Sequence, residues 1–160
     1  MALTTLNIKE PGLNVLPPGV ERYVVEGGGL TGIQILPDDE IEIINNEGNQ
    51  ICEISVFNKN GKSELGILSL KEIKDNSEIK KILFKKDETS LQALLQLKKR
   101  NLNIEKSKSS VVFDTGTKAG EKVKFKSKDK CYCIFAAPGK RMMVHEQNPS
   151  TELTIMVKRS

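Results

Sequence analysis

The most conspicuous chemical pattern in the chain is the run Gly27-Gly28-Gly29-Leu30-Thr31-Gly32, which has the literal spacing G-x-G-x-x-G. A dinucleotide loop of that spacing works because a strand ends at the glycines and a helix N-terminus then faces the pyrophosphate. The residues that follow, Ile33-Gln34-Ile35-Leu36, alternate apolar and polar and run into Pro37. They predict a strand, so no helix N-terminus is on offer. The glycines are accordingly expected to serve a sharp connection between two strands, where positive φ is needed.

The remaining chemically loaded residues are few. His145 is the only histidine, and the three cysteines are Cys52, Cys131 and Cys133. Zinc is the metal this set would be asked to hold. Cys131 and Cys133, one residue apart in a predicted strand, fall on one face about 6.5–7 Å apart along it. That spacing differs from a C-x₂-C knuckle, and free cysteine is commonly a buried apolar residue, so no metal and no cofactor is expected. A covalent mechanism would need a nucleophile beside His145 and an acid such as Asp114 or Glu146, and the spacing points to none. Glu53 and Asp114 could supply paired carboxylates if both faced the interior. Glu53 carries more information, because the strand Ile51–Phe57 is apolar on the opposite face too. A carboxylate so placed needs either a wet face or a hydrogen-bonding partner.

The elements that would position these residues are mostly β. Arg22-Tyr23-Val24-Val25 is a short apolar run, and Glu40–Asn45 places Ile41 and Ile43 opposite Glu40 and Glu42. The stretch 46–50, with Asn46 and Gly48, reads as a turn joining that strand to Ile51–Phe57 in a hairpin. In the middle, Ile79, Ile82 and Leu83 recur at helical spacing behind Ser77, a cap residue. Thr89 with Gln92 forms a capping-box pattern ahead of a stripe of Leu91, Leu94 and Leu95. Four further segments in the last third, beginning at Ser110, Glu121, Lys130 and Thr151, favour strands. Residues 1–20, rich in Pro and Gly, are expected to be extended and non-helical. The prediction is one mainly β domain over 1–160, a distorted barrel or sandwich with a two-helix insertion at about 77–102. It is also of a kind that could form the N-terminal part of a longer protein.

Composition limits the function classes. The chain has 160 residues, 38% hydrophobic and 29% charged, with aromatics at only 4% and no Trp. Too few rings are present for base-stacking platforms or cation cages. The net charge of +4 gathers in a lysine-dense stretch from Lys106 to Lys130, interrupted by Glu121 and Asp129. It is read as a solvated strand face, with binding of an anionic polymer as the alternative and nucleic acid not expected. No apolar run approaches the roughly 20 residues of a membrane span, and no secretory leader or disulfide framework is legible. A soluble protein of the reducing cytoplasm is expected.

Two segments then resemble the urea-carboxylase-associated family. In the first, Leu36–Asn58, Gly48, Gln50, Phe57 and Asn58 match its pattern, and Glu53 stands where the family usually has Asp. Leu16-Pro17-Pro18-Gly19 upstream is similar to the family's opening. In the second, Gly120 precedes a strand, Asp129 leads an apolar strand, and Asn148-Pro149-Ser150-Thr151 precedes the last one. The chain departs from the family at Ala136-Ala137-Pro138, where the family has Ser-Ala-Cys-Pro. Its segment Ser77–Ser110 also lacks the Cys and His of zinc-holding members, so no catalytic residue is carried over. The resemblance implies a non-catalytic accessory or small-molecule-binding domain of one-carbon or amine metabolism, with Gln50, Glu53, Asn58 and Asp114 as ligand-binding candidates. An aminomethyltransferase domain or partner subunit related to the glycine-cleavage T-protein is the partner so implied. A hydrolase of amidino or amide substrates, akin to carboxyguanidine deiminase, is the enzyme alternative.

Overall fold

A computed structural model describes residues 8–9, 19–71, 78–85, 87–113, 116–138 and 151–160. Its strands are β1 (Ile8–Lys9), β2 (Val20–Val25), β3 (Leu30–Ile35), β4 (Glu40–Asn45), β5 (Cys52–Asn58), β6 (Ser110–Val112), β7 (Glu121–Lys126), β8 (Cys131–Ala136) and β9 (Leu153–Lys158). The helices are α1 (Glu78–Leu83) and α2 (Glu88–Lys99), with a single 3₁₀ turn at Leu65–Leu68. One sheet has the order β1-β3-β8-β5-β6 and the other β2-β9-β4-β7. Every pairing is antiparallel except that of the two-residue β1 with β3. Among the described residues the sheets do not close into a barrel, so the sandwich is the form realised.

Aliphatic residues fill the space between the sheets: Ile33 and Ile35 of β3, Ile41 and Ile43 of β4, Ile54 and Val56 of β5, Ile155 and Val157 of β9. Their alternation follows from the two-residue period of a strand, which sends every second side chain inward. The other face of the β3-β8-β5 sheet is covered too, where Phe57, Ile134 and Ala136 meet Ile79, Leu83, Ala93 and Leu97 of the helices. The molecule is thus three layers deep: helices, sheet, sheet. Its middle sheet is buried on both faces, which explains why six consecutive residues of β5 are buried.

That layering overturns the hairpin expected at 40–57. β4 joins one sheet and β5 the other, and they do not pair. The burial demands differ: β4 has a polar outer face carrying Glu40 and Glu42, whereas β5 is apolar on two sides and belongs in the middle layer. The connection crosses between sheets instead of turning back. Gly48 (φ +79°) is indispensable there, since a Cβ would lie 2.7 Å from the Thr117 carbonyl oxygen.

The glycine run makes the bend expected of it. Gly28 has φ +79° and donates its N–H to the Ala137 carbonyl at 2.7 Å, while Leu30 already begins β3. The chain passes from sheet to sheet here, with a strand on either side.

The helical layer departs from expectation in two ways. Helix α2 is capped by Asp87, whose carboxylate accepts from the Ser90 N–H, and Thr89 lies inside the first turn. An aspartate outcompetes a threonine at this position because its charge also meets the helix dipole. The buried stripe is Ser90, Ala93 and Leu97, and Leu91 and Leu95 face outward at 52% and 57% exposure. The small residues win because they let α2 approach α1, where the Ser90 hydroxyl donates to the Ile82 carbonyl at 2.9 Å. Ile79, Ile82 and Leu83 of α1 are buried as their spacing predicts, whereas the cap expected at Ser77 lies outside the described residues.

The lysine strand β7 forms an edge. Val123 and Phe125 turn inward, while Lys122 and Lys124 stand outward at 3.8 and 3.5 Å from the Glu42 carboxylate on β4. Lysines on an edge strand discourage pairing with another sheet.

Candidate functional site

Glu53 occupies the face of β5 turned toward the helices, together with Ser55 and Phe57, because residues two apart in a strand share a face. It is 3% exposed, and the Ser109 hydroxyl donates to its Oε1 at 2.7 Å. Of the two alternatives the sequence left open, burial with a partner is the one realised. The Ser55 hydroxyl is buried and has no partner among the described residues. The Glu53 carboxylate and the Ser55 hydroxyl thus share one face of β5, with the Ser109 hydroxyl reaching Glu53 from just before β6.

Gln50 lies just before β5, at the same end of the sandwich. Its Nε2 donates to the carbonyls of Ile51 and Pro138 at 2.8 and 2.9 Å, and its Oε1 accepts the Thr151 N–H at 2.8 Å. Asn45 adds an Nδ2 donation to the Gln50 carbonyl at 2.8 Å. This clasp ties the β4–β5 crossing to the residues after β8 and before β9. Two of its oxygens, Asn45 Oδ1 and Thr151 Oγ1, are buried with no partner among the described residues. Buried polar atoms are usually paired, so these two oxygens, with the Ser55 hydroxyl farther along β5, are the atoms with hydrogen-bonding capacity to spare among the described residues.

Asn58 belongs elsewhere. It ends β5, five residues beyond Glu53 and so about 17 Å away. Its Oδ1 accepts from the N–H groups of Asn60 and Lys62 at 2.9 and 3.1 Å, which closes a turn. Gln50 and Glu53 thus lie three residues apart at the start of β5 with different partners, and Asn58 stands at its other end. Asp114 and His145 lie outside the described residues.

A second polar assembly, at the opposite end, has no counterpart in the sequence reading. Arg159 donates through Nε and Nη2 to the two oxygens of Glu21 at 3.0 and 2.8 Å. Through Nη1 it reaches Asp39 at 2.6 Å and the Gln34 carbonyl at 3.0 Å. Tyr23 donates to Glu21, and Asp39 also accepts the N–H groups of Leu36 and Ser160. Burial and the hydrogen bond to Glu21 push the Tyr23 phenol up to about 12. Burial opposes the charge on Arg159, but its bonds to Glu21 and Asp39 prevail and hold it more firmly protonated than usual. Because every member is paired, this assembly reads as a structural lock.

The cysteines behave as core residues. Cys131 and Cys133 share the inner face of β8 with sulfurs 3.7 Å apart, and both are fully buried, as is Cys52. The contact between the two thiols holds Cys131 below its ordinary value, and the same contact together with burial holds Cys133 well above. Burial pushes Cys52 up. Among the described residues no group of three or more His, Cys, Asp or Glu is placed to hold a metal ion. No helix among them is long and apolar enough to cross a membrane.

Sequence reasoning singled out Glu53 and Gln50 and passed over their neighbours Asn45, Ser55, Ser109 and Thr151. The run Ser107–Ser110 was the available signal, since hydroxyls clustered ahead of a short strand are candidates to serve a buried carboxylate.

No protein-family model matches the chain. It is 33% identical, over 154 residues and 96% of its length, to trimethylamine-oxide aldolase of Ruegeria pomeroyi. The chain spans about a fifth (19%) of the length of that curated relative.

Proposed function

We propose that this chain is a small-molecule-binding domain of amine metabolism, non-catalytic on its own, that serves a larger enzyme of the trimethylamine-oxide aldolase kind. The observation that carries the reading is the extent of the likeness: nearly the whole chain aligns, yet with only a fifth of the relative. A unit of that proportion suits one module of a multi-part enzyme. The ligand in this reading is a small methylated amine or its oxide, held at the end of the sandwich where Asn45, Gln50, Glu53 and Ser109 gather. The buried Glu53 carboxylate suits a cationic nitrogen, and the orphan oxygens suit N–H or O–H donors. The working partner is an aminomethyltransferase-like domain or subunit, and the likeness to the urea-carboxylase-associated family belongs to the same proposal.

Titration of isotope-labelled protein with trimethylamine oxide and with trimethylammonium, followed by amide NMR, tests it. Saturable shifts confined to residues around 45–55, 109 and 151 are expected. Glu53→Gln should weaken binding of the cation on the order of tenfold, consistent with loss of one charge-assisted contact of about 1.5–3 kcal/mol. Absence of saturable shifts with either compound would overturn the ligand class. Consumption of trimethylamine oxide by this chain alone would overturn its non-catalytic character.

A further inference from the structure

We propose that two copies of this chain associate through helix α2, packed antiparallel about a two-fold axis. The inference is independent of the ligand-binding reading, because it rests on the outward face of α2, which contributes no residue to that site.

Four large hydrophobic residues are conspicuously exposed among the described residues, and three of them, Phe84, Leu91 and Leu95, belong to the helical layer. Leu91 and Leu95 point away from the buried stripe of Ser90, Ala93 and Leu97. With 3.6 residues per turn, Glu88, Leu91, Leu95 and Lys98 fall on this one outward face. Their successive spacings of three, four and three are those of a helix–helix seam. The leucines sit at the middle of α2, with Glu88 in the first turn and Lys98 and Lys99 in the last.

This arrangement is complementary to its own reverse. When two such helices pack antiparallel around the midpoint, Leu91 meets the partner's Leu95, and Leu95 meets the partner's Leu91. Glu88 then faces the partner's Lys98, and the same pair recurs at the far end. A parallel arrangement would instead set like charges against each other. Two-fold symmetry generates both contacts at once, as an isologous interface requires. Phe84 shares a groove with Leu94, Leu97 and Lys98 beside the seam, and so adds apolar surface at its margin. The twelve residues of α2 are only about 18 Å long, short of what a permanent interface of ~800 Å² per partner needs. The association is therefore concentration-dependent.

Sedimentation velocity on the purified chain over a wide concentration range tests the proposal. The wild type should pass from monomer to dimer as concentration rises. Leu91→Ser with Leu95→Ser should remain monomeric while its circular dichroism shows the helices intact. Both sites are exposed, so the fold does not depend on them. Glu88→Lys and Lys98→Glu should each weaken the dimer on the order of tenfold at low salt, and the double variant should regain wild-type association. A monomer at every concentration would overturn the inference. So would a dimer indifferent to the leucine substitutions, or one that the paired charge reversal fails to restore.

Discussion

At the end of the sandwich where β2 and β4 begin, Arg159 binds two buried carboxylates and a carbonyl, and Tyr23 completes the set. At the opposite end, where β5 begins, Gln50 is fully engaged, yet Asn45, Thr151 and nearby Ser55 each keep a buried oxygen without a partner among the described residues. Both ends bury polar groups, so both incur the cost of desolvation. The first recovers it through a closed set of internal bonds, the second only in part. The contrast separates a saturated polar cluster from one that keeps hydrogen-bonding capacity in reserve.

The sharpest way to break this comparison is Arg159→Ala. It strands Glu21 and Asp39 as neighbouring buried carboxylates, and a loss of about 3–5 kcal/mol is expected in urea unfolding. A loss below about 1 kcal/mol would show that water already screens the lock. The same end should fail at alkaline pH. Burial and Glu21 push the folded Tyr23 phenol up to about 12 from its ordinary 10.0, so its contribution is complete below pH 10 and disappears as pH climbs toward 12. Circular dichroism across that window, which suits a chain without Trp, reads the effect. Tyr23→Phe should flatten the decline.

At the other end the expected effects are smaller. Ser109→Ala withdraws the hydroxyl from buried Glu53 and should cost about 1–3 kcal/mol. Ser55→Ala and Thr151→Val remove hydroxyls that have no partner, so stability should stay within about 0.5 kcal/mol or rise. Thermal melts decide this. A loss above about 1 kcal/mol from either substitution would mean that the orphan oxygens are paired in solution, and the two ends would cease to differ.

Much of the fold was legible because it is written locally. The alternation in β4 and the lysine-lined face of β7 were readable, and the doubly apolar character of β5 reduced Glu53 to two alternatives, a wet face or burial with a partner. The glycine bend was legible too, because the residue run after it could only be a strand. What escaped was the pairing. Nothing in the sequence near 40–57 records that β4 and β5 part company, since that choice depends on β8 and β9 far downstream. The Arg159 lock joins residues 120 and 138 positions apart, and Gln50 reaches partners 88 and 101 positions away. On α2 the leucines suggested the wrong face. Close approach to α1 selected the small side chains, and periodicity cannot see a neighbouring helix.

The position of β9 has a consequence for how the molecule folds. Although it is the last of the described strands, it lies between β2 and β4, and among the described residues β2 pairs with no other strand of its sheet. The earliest long strand must therefore wait for residues 153–158 before it gains a single ladder hydrogen bond. Closing so long a loop early in folding is entropically costly. Such non-local pairing places the chain among slow folders, in the range of milliseconds to seconds. The β3-β8-β5-β6 ladder spans long separations too, since β3 pairs with β8, but it does not need β9. The middle sheet and the β4–β7 pair can thus take shape before β9 closes the outer sheet and brings Arg159 to Glu21 and Asp39.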